Sequence, residues 1–299
     1  MSSTTTLVPD SAAHRLKVPD DYPSDVLDAP AQIDHDRSTD DTSASLGERI
    51  VLPLVGFAVA IAVWAAATML FSGPGDNLYP FNPVDTARSL ATMAGEATFW
   101  EDIAVSLRRL LIGLAAAVAI GAPLGAAIAT WPRLDRAVGP LTQFLRMTSP
   151  LAWAPVAIFV LGTGSAPAQA LIAAAAVWPL VLNTAAGVRA VNPAWFAVVR
   201  TLGATRPEAF RSVALPVVQP HLLTGLRVSL GIGWIVLVPV EMLGVNQGLG
   251  YAIINARDGL AYSDLMAVVV VIGLLGFLLD GTIRLVAAFM ERRSLLQST

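Results

Sequence analysis

Residues 192–216, NPAWFAVVRTLGATRPEAFRSVALP, form the longest internal stretch that cannot be buried in a membrane, and both flanks run directly into apolar segments that can. Within it, Asn192 is placed to cap a first short helix with Pro193 at its first position, and Gly203 suits a left-handed stop. Thr205 and Glu208 have capping-box spacing for a second short helix, which is expected to end before Pro216 because proline lacks the N–H that a helix interior needs. Arg189, Arg200, Arg206 and Arg211 border or punctuate the stretch, and Trp195, Phe196, Val199 and Leu202 recur at helical spacing as an apolar stripe. The pattern predicts two short amphipathic helices facing one aqueous compartment. Taken alone, it also fits an interfacial helix pair lying on lipid headgroups. A helix-turn-helix that binds nucleic acid fails on context, because both flanks continue into membrane spans.

Outside this island the chain is an integral membrane protein by composition. Of 299 residues 55% are hydrophobic and 14% charged, with a mean hydropathy of +0.64, whereas soluble domains carry about one-quarter charged residues. Residues 1–48 are the exception, rich in Ser, Thr, Asp and Pro, with ten carboxylates against Arg15, Lys17 and Arg37. They are expected to be a disordered acidic tail, and they lack the apolar core of a signal peptide. A membrane domain, residues 49–293, follows, and 294–299 form a short C-terminal tail.

Six spans are expected. Residues 50–71 hold 22 positions without a charge, about 33 Å as a helix and enough to cross. The glycine- and proline-rich residues 72–101 read as an external loop with some helix before Trp100. A second span, 103–131, is expected to be interrupted at Gly121, Pro123 and Gly125. Residues 147–188 contain 42 positions with no charged residue, about twice what one bilayer crossing accommodates. The GTGSAP turn at 162–167 divides them into spans 138–161 and 168–188. Spans 217–243 and 265–290 follow the island. Arginines cluster at the end of the tail, at the turn 131–137, in the island and at Arg292 and Arg293, whereas the other side carries only Arg88, Arg257 and the boundary pair Arg108 and Arg109. By the positive-inside rule both termini and the island are cytoplasmic.

Ionisable groups within spans each require an account, because hydrocarbon tolerates them poorly. Asp280 and Arg284 stand four apart on one helix face near the cytoplasmic end of their span and are expected to pair along the helix and snorkel. Arg227, ten residues into its span, needs a partner. Arg146 precedes the proline-broken SPLAWAP at 149–155, whose freed backbone groups are tolerated only where buried or wet; an anion passing there would meet a cation, although Arg146 equally fits the headgroup level. Ser149 in that segment, with Trp153, Asn183 and Trp234, completes the polar-capable candidates for a translocation path, although the tryptophans and Asn183 equally fit packing or an interface anchor. By its chemistry Glu241 reads as a hydrated boundary carboxylate.

Several chemistries are excluded. Lys17, in the tail, is the only lysine, so no GxxxxGK[ST] phosphate loop exists and any ATP must be hydrolysed by another subunit. Cysteine is absent, and His14, His35 and His221 are scattered, which leaves no metal cluster or catalytic triad. No cofactor, metal or catalytic residue is expected.

The spacing Ala197, Gly203, nine residues, Val213, Leu215 and Pro216 resembles the EAA loop of bacterial ABC-importer permeases. LNTAAGVRAV before it, and TGLRVSLGIGWIVLVPVEML and GLGYAI after it, are similar to the nitrate, sulfonate and taurine group. The acidic first position of the motif is Ala197 here. The resemblance implies an all-α bundle of the type I importer kind, with the island as a coupling helix pair whose contact residues are Ala197, Arg200, Gly203, Ala204, Phe210, Val213, Leu215 and Pro216. It implies three protein partners in the bilayer system: a cytoplasmic ATPase dimer, an extracytoplasmic substrate-binding protein and a second copy of the permease. It implies that Glu241, Met242 and the glycine-rich turn at 244–250 sit by the translocation path, and a small anion as cargo, nitrate before a sulfonate such as taurine. Residue chemistry leaves open a self-contained secondary transporter with Glu241 or Asp280 coupling protons, although no internal repeat supports it.

Overall fold

The computed structural model describes residues 46–71 and 81–296. Most of the acidic tail, residues 1–45, and the last residues 297–299 lie outside the described residues. Contact density divides the chain at Ala60 and Ile61. The first helix, α1 (Leu46–Phe71), contains the apolar Val51–Leu70. It begins two residues before the expected end of the tail.

Beyond α1, every regular element among the described residues is helical: α2 (Pro83–Met93), α3 (Ala97–Thr130), α4 (Pro132–Met147), a 3-10 turn (Pro150–Trp153), α5 (Ala154–Leu161), α6 (Ser165–Arg189), α7 (Pro193–Thr201), α8 (Arg206–Ala209), a π turn (Phe210–Ala214), α9 (Leu215–Gly244), α10 (Leu249–Asp258) and α11 (Tyr262–Leu296). Five helical stretches are long and apolar enough to cross a membrane, and a sixth crossing arises if the bent pair 132–161 counts as one.

That pair corrects the expectation of a straight span over 138–161. Pro132–Met147 and Pro150–Leu161 meet at 88°. Ser149 is extended, with φ −58° and ψ 126°, and Pro150 and Pro155 each stand in the first turn of the helical segment that follows, positions where a missing N–H costs nothing. Conversely, α3 is not interrupted at Pro123 but runs through it. The connection after α9, expected from sequence as a glycine-rich turn, contains α10.

The bundle is organised around α6, which packs between α3 and α9. Gly113, Ala117, Gly121 and Gly125 recur every four residues along α3 and are buried, a small-residue stripe that lets two backbones approach. A β-carbon at Gly121 would lie 2.9 Å from both Leu180 Cβ and Val177 O of α6. On the other face of α6, a β-carbon at Gly225 of α9 would lie 2.9 Å from Asn183 Cβ. Ser229 of α9 donates to the Ala176 carbonyl of α6 at 2.6 Å within the core. Gly121→Leu should therefore overpack the α3–α6 seam at about 1–3 kcal/mol, lowering the unfolding midpoint in mild detergent. Gly139→Leu, at a position with nothing within 4 Å, should leave the midpoint unchanged.

Candidate functional site

The island folds as its caps dictate. Asn192 Oδ1 accepts from the Ala194 N–H at 2.9 Å, and Pro193 opens α7. Gly203 takes φ +84°, a left-handed conformation that β-branched residues avoid, and the Ala204 N–H then closes back on the Val199 carbonyl at 3.1 Å. Glu208 Oε2 accepts from the Thr205 N–H at 2.8 Å and from its hydroxyl at 2.7 Å, so the capping box is formed.

One expectation fails: the second helix does not end before Pro216. It passes through the π turn Phe210–Ala214, in which the Leu215 N–H reaches the Phe210 carbonyl five residues back, and continues into α9. Placing Pro216 in the first turn after this wider turn avoids the ring clash and the missing hydrogen bond of an interior proline. The consequence is mechanical, since the hairpin is joined to a membrane span by continuous helical backbone.

The hairpin presents apolar surface. Trp195, Val198, Leu202, Phe210 and Leu215 are exposed, as are Ala197, Arg200, Gly203 and Pro216, while Ala204 is half-buried and Val213 buried. A groove of about 370 Å³ runs between its arms, lined by Trp195, Val198, Val199, Val213, Pro216 and Val217 among others. Val198 takes the place in the groove that the expected stripe gave to Phe196 and Leu202.

Of the seven path candidates, the fold brings two together. Arg146 and Asn183 line one cavity of about 390 Å³ between α4, α6 and α9, with Thr148, Trp178, Val228 and Ile232. Arg146 is exposed. Asn183 donates to the Pro179 carbonyl at 2.8 Å, leaving its own carbonyl oxygen and one N–H for another partner. Ser149, flanked by the cavity residues Thr148 and Pro150, is exposed, Trp153 is likewise exposed and Met242 is half-buried. Trp234 is a core residue, and a β-carbon at Gly276 of α11 would lie 2.7 Å from its indole nitrogen.

Glu241 is neither hydrated nor on this cavity. Its side chain is 0% exposed, and Arg109 Nη1 donates to it at 2.7 Å. Ser106 donates to the same carboxylate, as does the Gly250 N–H at 3.0 Å. Arg109 also reaches the Gln247 carbonyl at 2.6 Å and Ser165 Oγ at 3.0 Å. The Gly248 and Leu249 N–H groups donate to Asp102 at 2.6 Å and to Ser106 at 2.9 Å. Arg109 is thus a buried partner rather than a boundary cation, and α3, the α9 end, the α9–α10 turn and the start of α6 are tied at one point. Asp102 and Ser106, not singled out from sequence, sit with Arg109 at i, i+4 and i+7 on α3, and that polar stripe in an apolar helix was the available signal.

Arg227 finds its partner in Asp280: Nε and Nη2 donate to the two carboxylate oxygens at 2.7 and 3.2 Å. Arg284 approaches Asp280 at 3.0 Å, as its spacing predicts. Neither intramembrane carboxylate considered for proton coupling is free of an arginine.

The chain matches the family model described as binding-protein-dependent transport system inner membrane component over residues 118–294. It is 33% identical over 241 residues to the taurine transport system permease protein TauC of Escherichia coli (strain K12), covering 79% of this chain and 86% of that protein. The nitrate import permease protein NrtB of Synechocystis sp. is 31% identical over 252 residues, 81% of this chain and 88% of that one. The bicarbonate transport system permease protein CmpB of Synechococcus elongatus is 33% identical over 245 residues, 77% and 86% respectively. Among solved structures, one titled as an amino acid ABC transporter with histidines aligns with a TM-score of 0.51 at 16% identity, over 74% of this chain and all of that one; this likeness concerns the fold alone.

Proposed function

Because the chain belongs to the binding-protein-dependent transport system inner membrane components, the permease subunits of type I ABC importers, we infer that it moves a small oxyanion inward across the cytoplasmic membrane. Two copies enclose the path, both termini and the hairpin at 192–216 face the cytoplasm, and an external binding protein delivers cargo. A separate ATPase dimer docks on the hairpin and rocks the bundle between outward- and inward-open states. The observation that carries this reading is the hairpin itself: a capped helix pair with exposed apolar side chains, joined to α9 by continuous helical backbone. A docked subunit that moves the hairpin would move a membrane span.

Nitrate is the first cargo and a sulfonate such as taurine the second. Relatives named for taurine, nitrate and bicarbonate transport share an oxyanion group as the common chemistry of cargo. The cavity holding Arg146 and Asn183 supplies one cation and one amide for such a group. Arg146→Ala should raise the half-saturating cargo concentration about tenfold or more, the scale of a lost charge-assisted hydrogen bond, with the hairpin still coupled to ATP hydrolysis.

The test is uptake of labelled nitrate and of labelled taurine into vesicles holding the chain, its ATPase and its binding protein. Uptake that needs ATP and survives collapse of the proton gradient is expected. Uptake by the chain alone, driven by that gradient, would overturn the reading.

A further inference from the structure

Arg227, Asp280 and Arg284 form an ion-paired cluster that the protomer leaves open. Their side chains are 48%, 36% and 51% exposed, yet they stand well inside two of the helical stretches long and apolar enough to cross a membrane. Arg227 lies eleven residues beyond Pro216, about 16 Å along α9, and Asp280 ten residues before Met290, about 15 Å along α11. Both therefore stand at one depth, near the middle of the crossing. Ionisable groups at such depth face protein or water, not hydrocarbon.

The exposed face of α9 continues from them. Thr224, Val228, Gly231 and Ile235 are all exposed on it, and a β-carbon at Gly231 would meet nothing within 4 Å. Val228 also borders the cavity that holds Arg146, so the charged cluster and that cavity adjoin along one helix.

Resting on the oxyanion-permease reading above, we propose that the Arg227–Asp280–Arg284 cluster is the charge filter of the aqueous path, at which an oxyanion is favoured over a cation of similar size. Two guanidiniums share one carboxylate, leaving a net charge of +1 per protomer. Asp280 occupies Arg227 through Nε and Nη2, which fixes the plane of the guanidinium and leaves Nη1 to donate to a passing oxyanion. Asp280 therefore orients the arginines and moderates their charge, so that an anion is attracted without being trapped.

The chain contains no cysteine, which makes single-cysteine labelling clean. In membranes holding the full chain, Gly231→Cys, one turn from Arg227, is treated with methanethiosulfonate reagents of equal size bearing a sulfonate or a trimethylammonium group. The sulfonate reagent is expected to react at least about tenfold faster, the lower end of focusing by a charged cleft. Adding Arg227→Gln should abolish that preference, with Asp280 still paired to Arg284; adding Asp280→Asn should enlarge it. No reaction with either reagent would mean that this face meets lipid or protein, and equal rates in all backgrounds would mean water without charge selection; either overturns the filter. Labelling needs no transport, so it separates the two readings: the expected labelling pattern with no ATP-dependent anion uptake would sink the importer cargo and leave the filter standing, whereas anion uptake with charge-blind labelling would sink the filter alone.

Discussion

Gly203→Val should abolish ATP-driven uptake while the protein still inserts in the membrane at normal levels. The residue holds φ +84°, where a β-branched side chain is strained by about 1–3 kcal/mol. The strain has nowhere to relax without breaking the closure of Ala204 onto Val199 and displacing the capping box that starts α8. Space is not the difficulty, since nothing lies within 4 Å of a β-carbon at this position. For that reason Gly203→Asn, which tolerates the left-handed region, should retain much of the uptake. Quantitative immunodetection in membranes alongside uptake separates the outcomes. Full uptake by the valine variant would remove the hairpin from the coupling route.

The second large effect is expected at Glu241. Glu241→Ala would leave Arg109 charged and buried, at a cost of about 3–5 kcal/mol, because breaking one partner of a buried pair is far worse than removing both. It would also remove the acceptor for the Gly250 N–H. Thermal unfolding in detergent should show a midpoint far below that of the native chain. The pair Arg109→Met with Glu241→Met should recover a substantial part of the loss. Glu241→Gln keeps the shape and should fall between. A native-like midpoint for Glu241→Ala would mean that the pair is not dry, and the tie between α3 and the α9–α10 turn would have to be carried by other contacts.

The two sites differ in how much of them could be read before the fold was known. Caps act within four residues, so Asn192, Gly203, Thr205 and Glu208 declared the hairpin directly. Pro216 does not end the helix, because a proline forbids an ordinary helix interior but not a helix entered through a π turn. The helices α6, α9 and α11 cover the apolar stretches 168–188, 217–243 and 265–290, since a bilayer acts on every residue alike and long apolar runs are read by counting. The path over 132–161 was harder: hydropathy counts apolar residues and cannot tell a straight crossing from two segments bent at Ser149.

Glu241 and Arg109 were separated by 132 positions, and nothing local couples them. By sequence Arg109 reads as a boundary cation, and Glu241 as a path candidate or a boundary carboxylate, because each lies near a span end. Their burial depends on how α3 and α9 come together, which small residues along α3 permit but do not announce. The same holds for Arg227 and Asp280, 53 positions apart. The intrahelical half of that cluster, Asp280 with Arg284, was legible from its spacing of four. The interhelical half required the fold.

A single cysteine in place of Ala197, in an otherwise cysteine-free chain, tests the central claim most directly. The position is exposed at the first place of the hairpin motif. With the partner ATPase co-expressed and a short bifunctional thiol–amine reagent added, the expected product is a covalent adduct of the permease with the ATPase. Its yield should change when ATP is bound. An intact permease–ATPase complex that gives no adduct from Ala197→Cys, with that cysteine still open to water-soluble maleimide, would contradict docking at the hairpin.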